Sequence, residues 1–211
     1  EGSLWLGSQW EGLARLWNGW TRRYSTREGL EDRILWSTTR GPDGRIWAGA
    51  NDGLWVMDAG RFERVLPGAD LPHPNAYTLL VEDDTVWIGT RRGAAVLRGG
   101  RLELPPELAP LRSHQVNGIV RDRRGALWFV TGGGLYRWRR DDFMAFDTRH
   151  GLRDPRTRVM LETRAGRLLL GTQTGLYEVK DDRLEVIGED AGLRPNLDIT
   201  AMHELPDGRL V

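Results

Sequence analysis

The chain has 211 residues, with 30 Lys and Arg balanced by 30 Asp and Glu, and no cysteine. Zero net charge gives no general attraction to nucleic acid or an anionic membrane; without a thiol there can be no disulfide, zinc–thiolate site or cysteine nucleophile. No run of about 18 apolar residues occurs, so no membrane-spanning helix is predicted.

Read from the N-terminus, the chain is one phrase repeated. Leu4-Trp5-Leu6-Gly7-Ser8 returns as Ile46-Trp47-Ala48-Gly49-Ala50, Val86-Trp87-Ile88-Gly89-Thr90 and Leu127-Trp128-Phe129-Val130-Thr131. The tryptophans are 42, 40 and 41 residues apart. A fifth copy, Leu168-Leu169-Leu170-Gly171-Thr172, keeps the period without the Trp, and a sixth opens at Asp207-Gly208-Arg209-Leu210-Val211. A period of about 40–45 residues carrying several short strands marks a β-propeller blade.

Five stretches of equal length run without gaps over 12–30, 53–71, 93–111, 134–152 and 175–193. Each opens Gly-Leu or Gly-Ala and has a turn near its seventh residue: Asn18-Gly19, Ala59-Gly60, Gly99-Gly100, Arg140-Asp141 and Asp181-Asp182. Glycine, Asn and Asp supply the positive φ or the side-chain turn bonds of tight hairpins. In the second repeat, alternation between turn signals predicts strands over 34–39, 46–50, 54–58 and 62–66, then a connection over 67–75.

The expected fold is therefore all-β, a propeller segment of about five four-stranded antiparallel blades. Residues 1–30 form a partial blade; 31–71, 72–111, 112–152 and 153–193 are full blades; 194–211 form a second partial blade. The in-phase tryptophans are expected to fill the wedges between blades, each burial contributing on the order of 2–3 kcal/mol. The Gly two residues after each Trp is expected where a side chain would block the neighbouring sheet. Leu30, Leu71, Leu111, Leu152 and Leu193 are expected to pin the crossovers.

Gly125-Ala126-Leu127-Trp128, Val86-Trp87-Ile88-Gly89-Thr90, Thr174-Gly175-Leu176-Tyr177 and Glu28-Gly29-Leu30 together resemble the two-component regulator propeller repeat. Its pattern runs V-x-x-I-x-x-D-x-x-G-x-L-W-I-G-T-x-x-G-L. In the fourth copy Val116, Ile119, Asp122, Gly125, Leu127, Trp128, Thr131, Gly134 and Leu135 match it. The fifth departs from it, with Thr163 for Asp and Leu169 for Trp. The resemblance implies the extracytoplasmic, periplasmic sensor of a bacterial inner-membrane receptor, ahead of a histidine kinase, diguanylate cyclase or similar output domain. It also implies a larger, usually seven-bladed propeller, so the chain is expected to be a piece of a longer protein.

Positions that do not repeat are the functional candidates, because the blade does not require them. Alignment of the first strands places Trp36, Tyr77, Asn117, Arg158 and Thr200 at one equivalent position, expected at a channel mouth. Trp36, Tyr77, Asn117 and Arg158 are the predicted ligand-binding set: rings to stack, and an amide and a guanidinium to hydrogen-bond a small polar ligand such as an oligosaccharide. Trp10, Trp17 and Trp20 have no ring in the other copies and form a second aromatic group. The crossovers carry His73, His114, His150, Arg153, Asp154 and Arg156, read as solvated loop residues; no ligand spacing supports a metal, and no cofactor motif occurs.

The function expected is a non-catalytic ligand-sensing or interaction propeller of a signal-transduction receptor. The alternatives are a lyase- or glycosidase-type propeller enzyme, or a structural scaffold. Paired carboxylates or a histidine at the mouth would favour the enzyme, and the aligned position has neither. Expected partners are the remaining blades and output domains of the parent chain, the polar ligand, and a second copy in a homodimer formed through open blade faces. Nucleic acid and direct membrane contact are not expected.

Overall fold

A computed structural model describes residues 2–8, 10–140, 142–194 and 196–211, with the backbone alone at Glu189. Asp141, assigned above to a hairpin turn, lies outside the described residues, as do Glu1 and Pro195 of the two partial blades. The chain divides into two compact units, Glu1–Ser113 and His114–Val211.

The first unit opens with a three-stranded sheet of β1 (Ser3–Gly7), β2 (Leu13–Trp17) and β3 (Trp20–Tyr24). Two four-stranded meanders follow. One is β4 (Leu35–Arg40), β5 (Ile46–Ala50), β6 (Gly53–Asp58) and β7 (Arg61–Pro67). The next is β8 (Ala76–Glu82), β9 (Thr85–Thr90), β10 (Ala94–Arg98) and β11 (Arg101–Glu103). The second unit holds β12 (Val116–Arg121), β13 (Leu127–Thr131), β14 (Gly134–Arg139) and β15 (Asp142–Phe146), then β16 (Thr157–Glu162), β17 (Leu168–Thr172), β18 (Gly175–Lys180) and β19 (Arg183–Ile187). All pairings are antiparallel between sequence neighbours, as a blade meander requires.

Strands of the second repeat fall within about a residue of the expectation. The C-terminal partial blade differs. No first strand forms there among the described residues; instead a short hairpin has His203 and Val211 exchanging backbone hydrogen bonds of 2.7 and 2.9 Å, with a bridge Glu204–Leu210. Ile199 instead docks on the fifth blade, its N–H donating to the Thr172 carbonyl at 3.0 Å.

Tryptophan does fill the wedges. Trp47 is buried with Leu79, Val81, Val86 and Ile88 of the next blade, and Trp128 with Met160, Leu168 and Leu170. Trp5 is partly buried, packed on a cluster with Leu35, Ile46 and Ala48. The glycine expectation holds at Gly49 and Gly171, whereas a Cβ on Gly7 would meet Leu35 only at ordinary contact distance. A Cβ on Gly49 would lie 2.4 Å from the Ala76 carbonyl, and one on Gly171 would lie 2.6 Å from Ile199 Cγ2. Leu30, Leu71, Leu111 and Leu152 are buried, while Leu193, followed by no complete blade in this chain, is half-exposed.

Two local devices explain the repeated letters. Buried Thr90, Thr131 and Thr172 each donate Oγ1–H to the carbonyl of the Gly three residues on, at 2.9, 2.7 and 3.0 Å, and accept the N–H two residues on. This closes the Thr-x-x-Gly hairpin locally, and at Thr131 the Thr157 hydroxyl of the next blade adds a bond to the Thr131 carbonyl at 2.8 Å. At the crossover, Ser25 and Glu28, and likewise Asp147 and His150, form capping boxes on one 3-10 turn, ended by Gly29 or Gly151 in the left-handed region.

The fifth blade shows a paired exchange. Where Trp128 faces Arg137 across the ladder, Leu169 faces Glu178. Arg137 stacks on Trp128 with 5.7 Å from Cζ to the ring centroid. Glu178 instead takes Arg167 in a two-bond clamp, both 2.9 Å, which holds its carboxyl below the usual range.

Candidate functional site

The four predicted site residues share a backbone feature. In β4 the register passes from Leu35↔Ala50 to Ser37↔Gly49, so Trp36 has no cross-strand partner. The same slip leaves out Tyr77 between Ala76 and Thr78, Asn117 between Val116 and Gly118, and Arg158 between Thr157 and Val159. Each is the extra residue of a β-bulge. A bulge frees one side chain from strict alternation and re-aims it, at the cost of a broken ladder. Four blades break the ladder at the same place, and at that place the side chains differ.

A sequence signal for the bulge exists, although sequence reasoning missed it. Val116 and Ile119 of the V-x-x-I motif are both buried, as are Thr157 and Met160. In a regular strand residues three apart point to opposite faces, so an odd spacing of buried positions requires an extra residue between them.

Within the first unit the structure brings Trp36 and Tyr77 together. Both are half-buried, their ring centroids lie 4.6 Å apart and their planes are inclined at 58°. The Trp36 indole N–H and the adjacent Ser37 hydroxyl are buried and have no hydrogen-bond partner among the described residues. A tilted aromatic pair suits a ligand offering an apolar face.

Within the second unit Asn117 is already engaged. Its Nδ2 donates to the Thr157 carbonyl at 2.8 Å, and its Oδ1 accepts from Gln115 Nε2 at 2.9 Å. It ties β12 to β16 and has less freedom to bind than the residue type alone implies. Arg158 is exposed and reaches Asp198 at 3.4 Å, an open pair that a ligand can displace. Thr200, the fifth residue of the aligned set, is exposed and lies outside any strand.

The crossover residues have local duties. His150 Nδ1 lies 2.9 Å from Asp147 Oδ1 inside a capping box. Asp154 is buried and clamped by Arg156 at 2.9 and 2.6 Å, which keeps its carboxyl low. His114 lies against Gly133, where any side chain would strike the imidazole. Among the described residues no three His, Asp or Glu side chains gather as metal ligands. Of the second aromatic group, Trp10 and Trp20 are 75% and 71% exposed, whereas Trp17 is half-buried with Arg15 stacked on it.

Meander blades joined by short crossovers define a β-propeller, and solved structures of this fold resemble the chain. One is the extracellular domain of a hybrid two-component system of B. thetaiotaomicron: TM-score 0.83, 16% identity, covering 100% of this chain and 30% of that one. A second such domain from the same organism has TM-score 0.66 and 23% identity over 76% of this chain and 22% of the other. A virginiamycin B lyase of Staphylococcus aureus has TM-score 0.67 and 18% identity over 88% of this chain and 66% of its own. The chain thus spans under a third of either sensor domain. No protein-family profile and no curated protein matches the sequence. At these identities the likeness establishes the fold. No described helix is long and apolar enough to cross a membrane.

Proposed function

We propose that the chain is a non-catalytic, ligand-sensing propeller segment from the periplasmic part of a bacterial membrane-bound signalling receptor. The observation that carries the reading is the bulge shared by β4, β8, β12 and β16, which re-aims one variable side chain per blade. A scaffold that only positions other domains has no use for variable residues at a conserved break. The bulged positions hold two rings, an amide and a guanidinium, with no carboxylate or histidine to act as general acid or base. The likeness to extracellular sensor domains supports the same reading. The ligand class these groups fit is a small polar molecule such as an oligosaccharide: Trp36 and Tyr77 of the first unit offer rings to stack on it, and Arg158 of the second unit is a candidate hydrogen-bonding group in its own right.

A glycan array followed by calorimetry on the best neutral oligosaccharide tests this. Trp36→Ala and Arg158→Ala are each expected to weaken binding by roughly 1–3 kcal/mol, the scale of a lost aromatic or charged contact. Unchanged affinity in both variants, with the fold intact, moves the site elsewhere. Hydrolysis or elimination of the bound saccharide would overturn the non-catalytic assignment.

A further inference from the structure

The third blade breaks the repeat on its outer side. Its outer strand β11 has three residues where β7, β15 and β19 have seven, five and five. The cause is local: Pro105 and Pro106 follow it, and proline has no N–H to give a ladder. The other crossovers form three-residue 3-10 turns at Thr26–Glu28, Gly68–Asp70 and Thr148–His150, but here the turn extends over Pro106–Ser113. Gly93 allows the close approach. Its φ is +90°, and a Cβ there would lie 3.2 Å from Arg112 Cα.

The exchange of strand for turn opens a cleft of about 280 Å³ in the first unit, small among ligand pockets, which run from roughly 300 Å³. Ala94 and Leu108 are its buried floor, Pro72 and Leu104 its walls, and Arg92 and Arg112 its rim. Leu104 is an exposed large apolar side chain, 50% accessible. No lining side chain is acidic. Among the described residues neither rim arginine, nor the neighbouring Arg91, forms an ion pair, and all three are exposed. The uncompensated charge is felt nearby: burial, then Arg91 and Arg92, holds the His73 imidazole below its ordinary range.

We propose that this cleft binds an amphipathic monoanion, a small carboxylate on an apolar body such as a medium-chain or aryl acid. The carboxylate sits at the Arg92 and Arg112 guanidinium groups, whose planar N–H forks match it, and the body covers Leu104, Leu108 and Pro72. A neutral sugar, the ligand class fitted to the bulged positions, would leave both the apolar floor and the cationic rim unmatched. The two sites are therefore separate in chemistry, and each can fail without the other.

Calorimetric titration of the full chain with octanoate, octan-1-ol and acetate provides the test. Octanoate is expected to bind saturably with one site per chain, weakening as salt rises. Octan-1-ol, lacking the charge, and acetate, lacking the body, should each bind at least about tenfold more weakly. Arg92→Gln and Arg112→Gln should each weaken octanoate by about tenfold while leaving the urea midpoint unchanged, since both side chains are exposed. Trp36→Ala should leave octanoate affinity as it was. Equal affinity for octanol and octanoate, octanoate binding unaltered in the Arg92→Gln/Arg112→Gln double variant, or no octanoate binding at millimolar concentration would each overturn the proposal.

Discussion

Asp122→Ala is expected to lower the unfolding free energy by about 3 kcal/mol, read as a fall in the urea midpoint. One buried carboxylate satisfies three donors there. Its Oδ1 accepts the Arg124 and Ala126 N–H groups at 2.9 and 2.8 Å, and its Oδ2 accepts the Trp128 indole at 2.8 Å. Removing it leaves the buried indole and the Ala126 amide without their acceptor, and orphaned buried groups cost more than the average hydrogen bond contributes. The other copies supply a natural comparison. Glu82 does the same for Trp87 at 3.1 Å. The second copy has Gly41 at this position, and the Trp47 indole N–H is buried with no partner. The fifth has Thr163, whose hydroxyl accepts the Arg167 N–H at 3.0 Å, and Leu169 leaves no indole to satisfy. A loss below about 1 kcal/mol in Asp122→Ala would show that the indole finds another acceptor.

Gly151→Ala should cost on the order of 3 kcal/mol, from two sources that add at one atom. Gly151 has φ +95°, strained for any L residue, and a Cβ there would stand 2.3 Å from the Leu184 carbonyl oxygen, which is backbone and cannot swing away. Gly29, at the same position of the first repeat, has φ +87° and would meet the Phe62 carbonyl at the same 2.3 Å. Gly60 is the control: φ is +84° but nothing lies within 4 Å, so Gly60→Ala should lose only about 1 kcal/mol of conformational strain. Equal losses at Gly151 and Gly60 would mean that the close approach of β19 to the crossover contributes nothing.

The blade was readable because its determinants are short-range. Thr131 and Gly134 close a hairpin within four residues, and Asp147 with His150 caps a turn within the same span. Alternation locates β5 to the residue and β4 within one. The C-terminal partial blade was misread for a related reason. Residues 197–202 carry strand-like letters, but a strand exists only with a partner, and local pattern does not supply one.

The candidate positions were also legible, as residues that fail to repeat, but their chemistry was not. Asn117 was read as a free hydrogen-bonding group, and the structure gives both ends of its amide to Thr157 and Gln115. His150 and Asp154 were read as solvated, yet one serves a cap and the other is buried beneath Arg156. Which neighbour a polar side chain finds depends on a strand about 40 residues away, as in the Asn117 bond to Thr157.

By itself, then, the sequence determined the repeat, the four-stranded meander, the wedge tryptophans and the glycines of the turns, because period, propensity and turn chemistry act over a few residues. Tertiary structure alone decided the rest. The bulge at Trp36, Tyr77, Asn117 and Arg158 arises from the register between two strands, and the cleft beside Leu108 from a crossover folding back over Gly93. Both depend on how paired elements meet in space, where hydrogen-bond register and steric fit between distant segments outweigh any local preference.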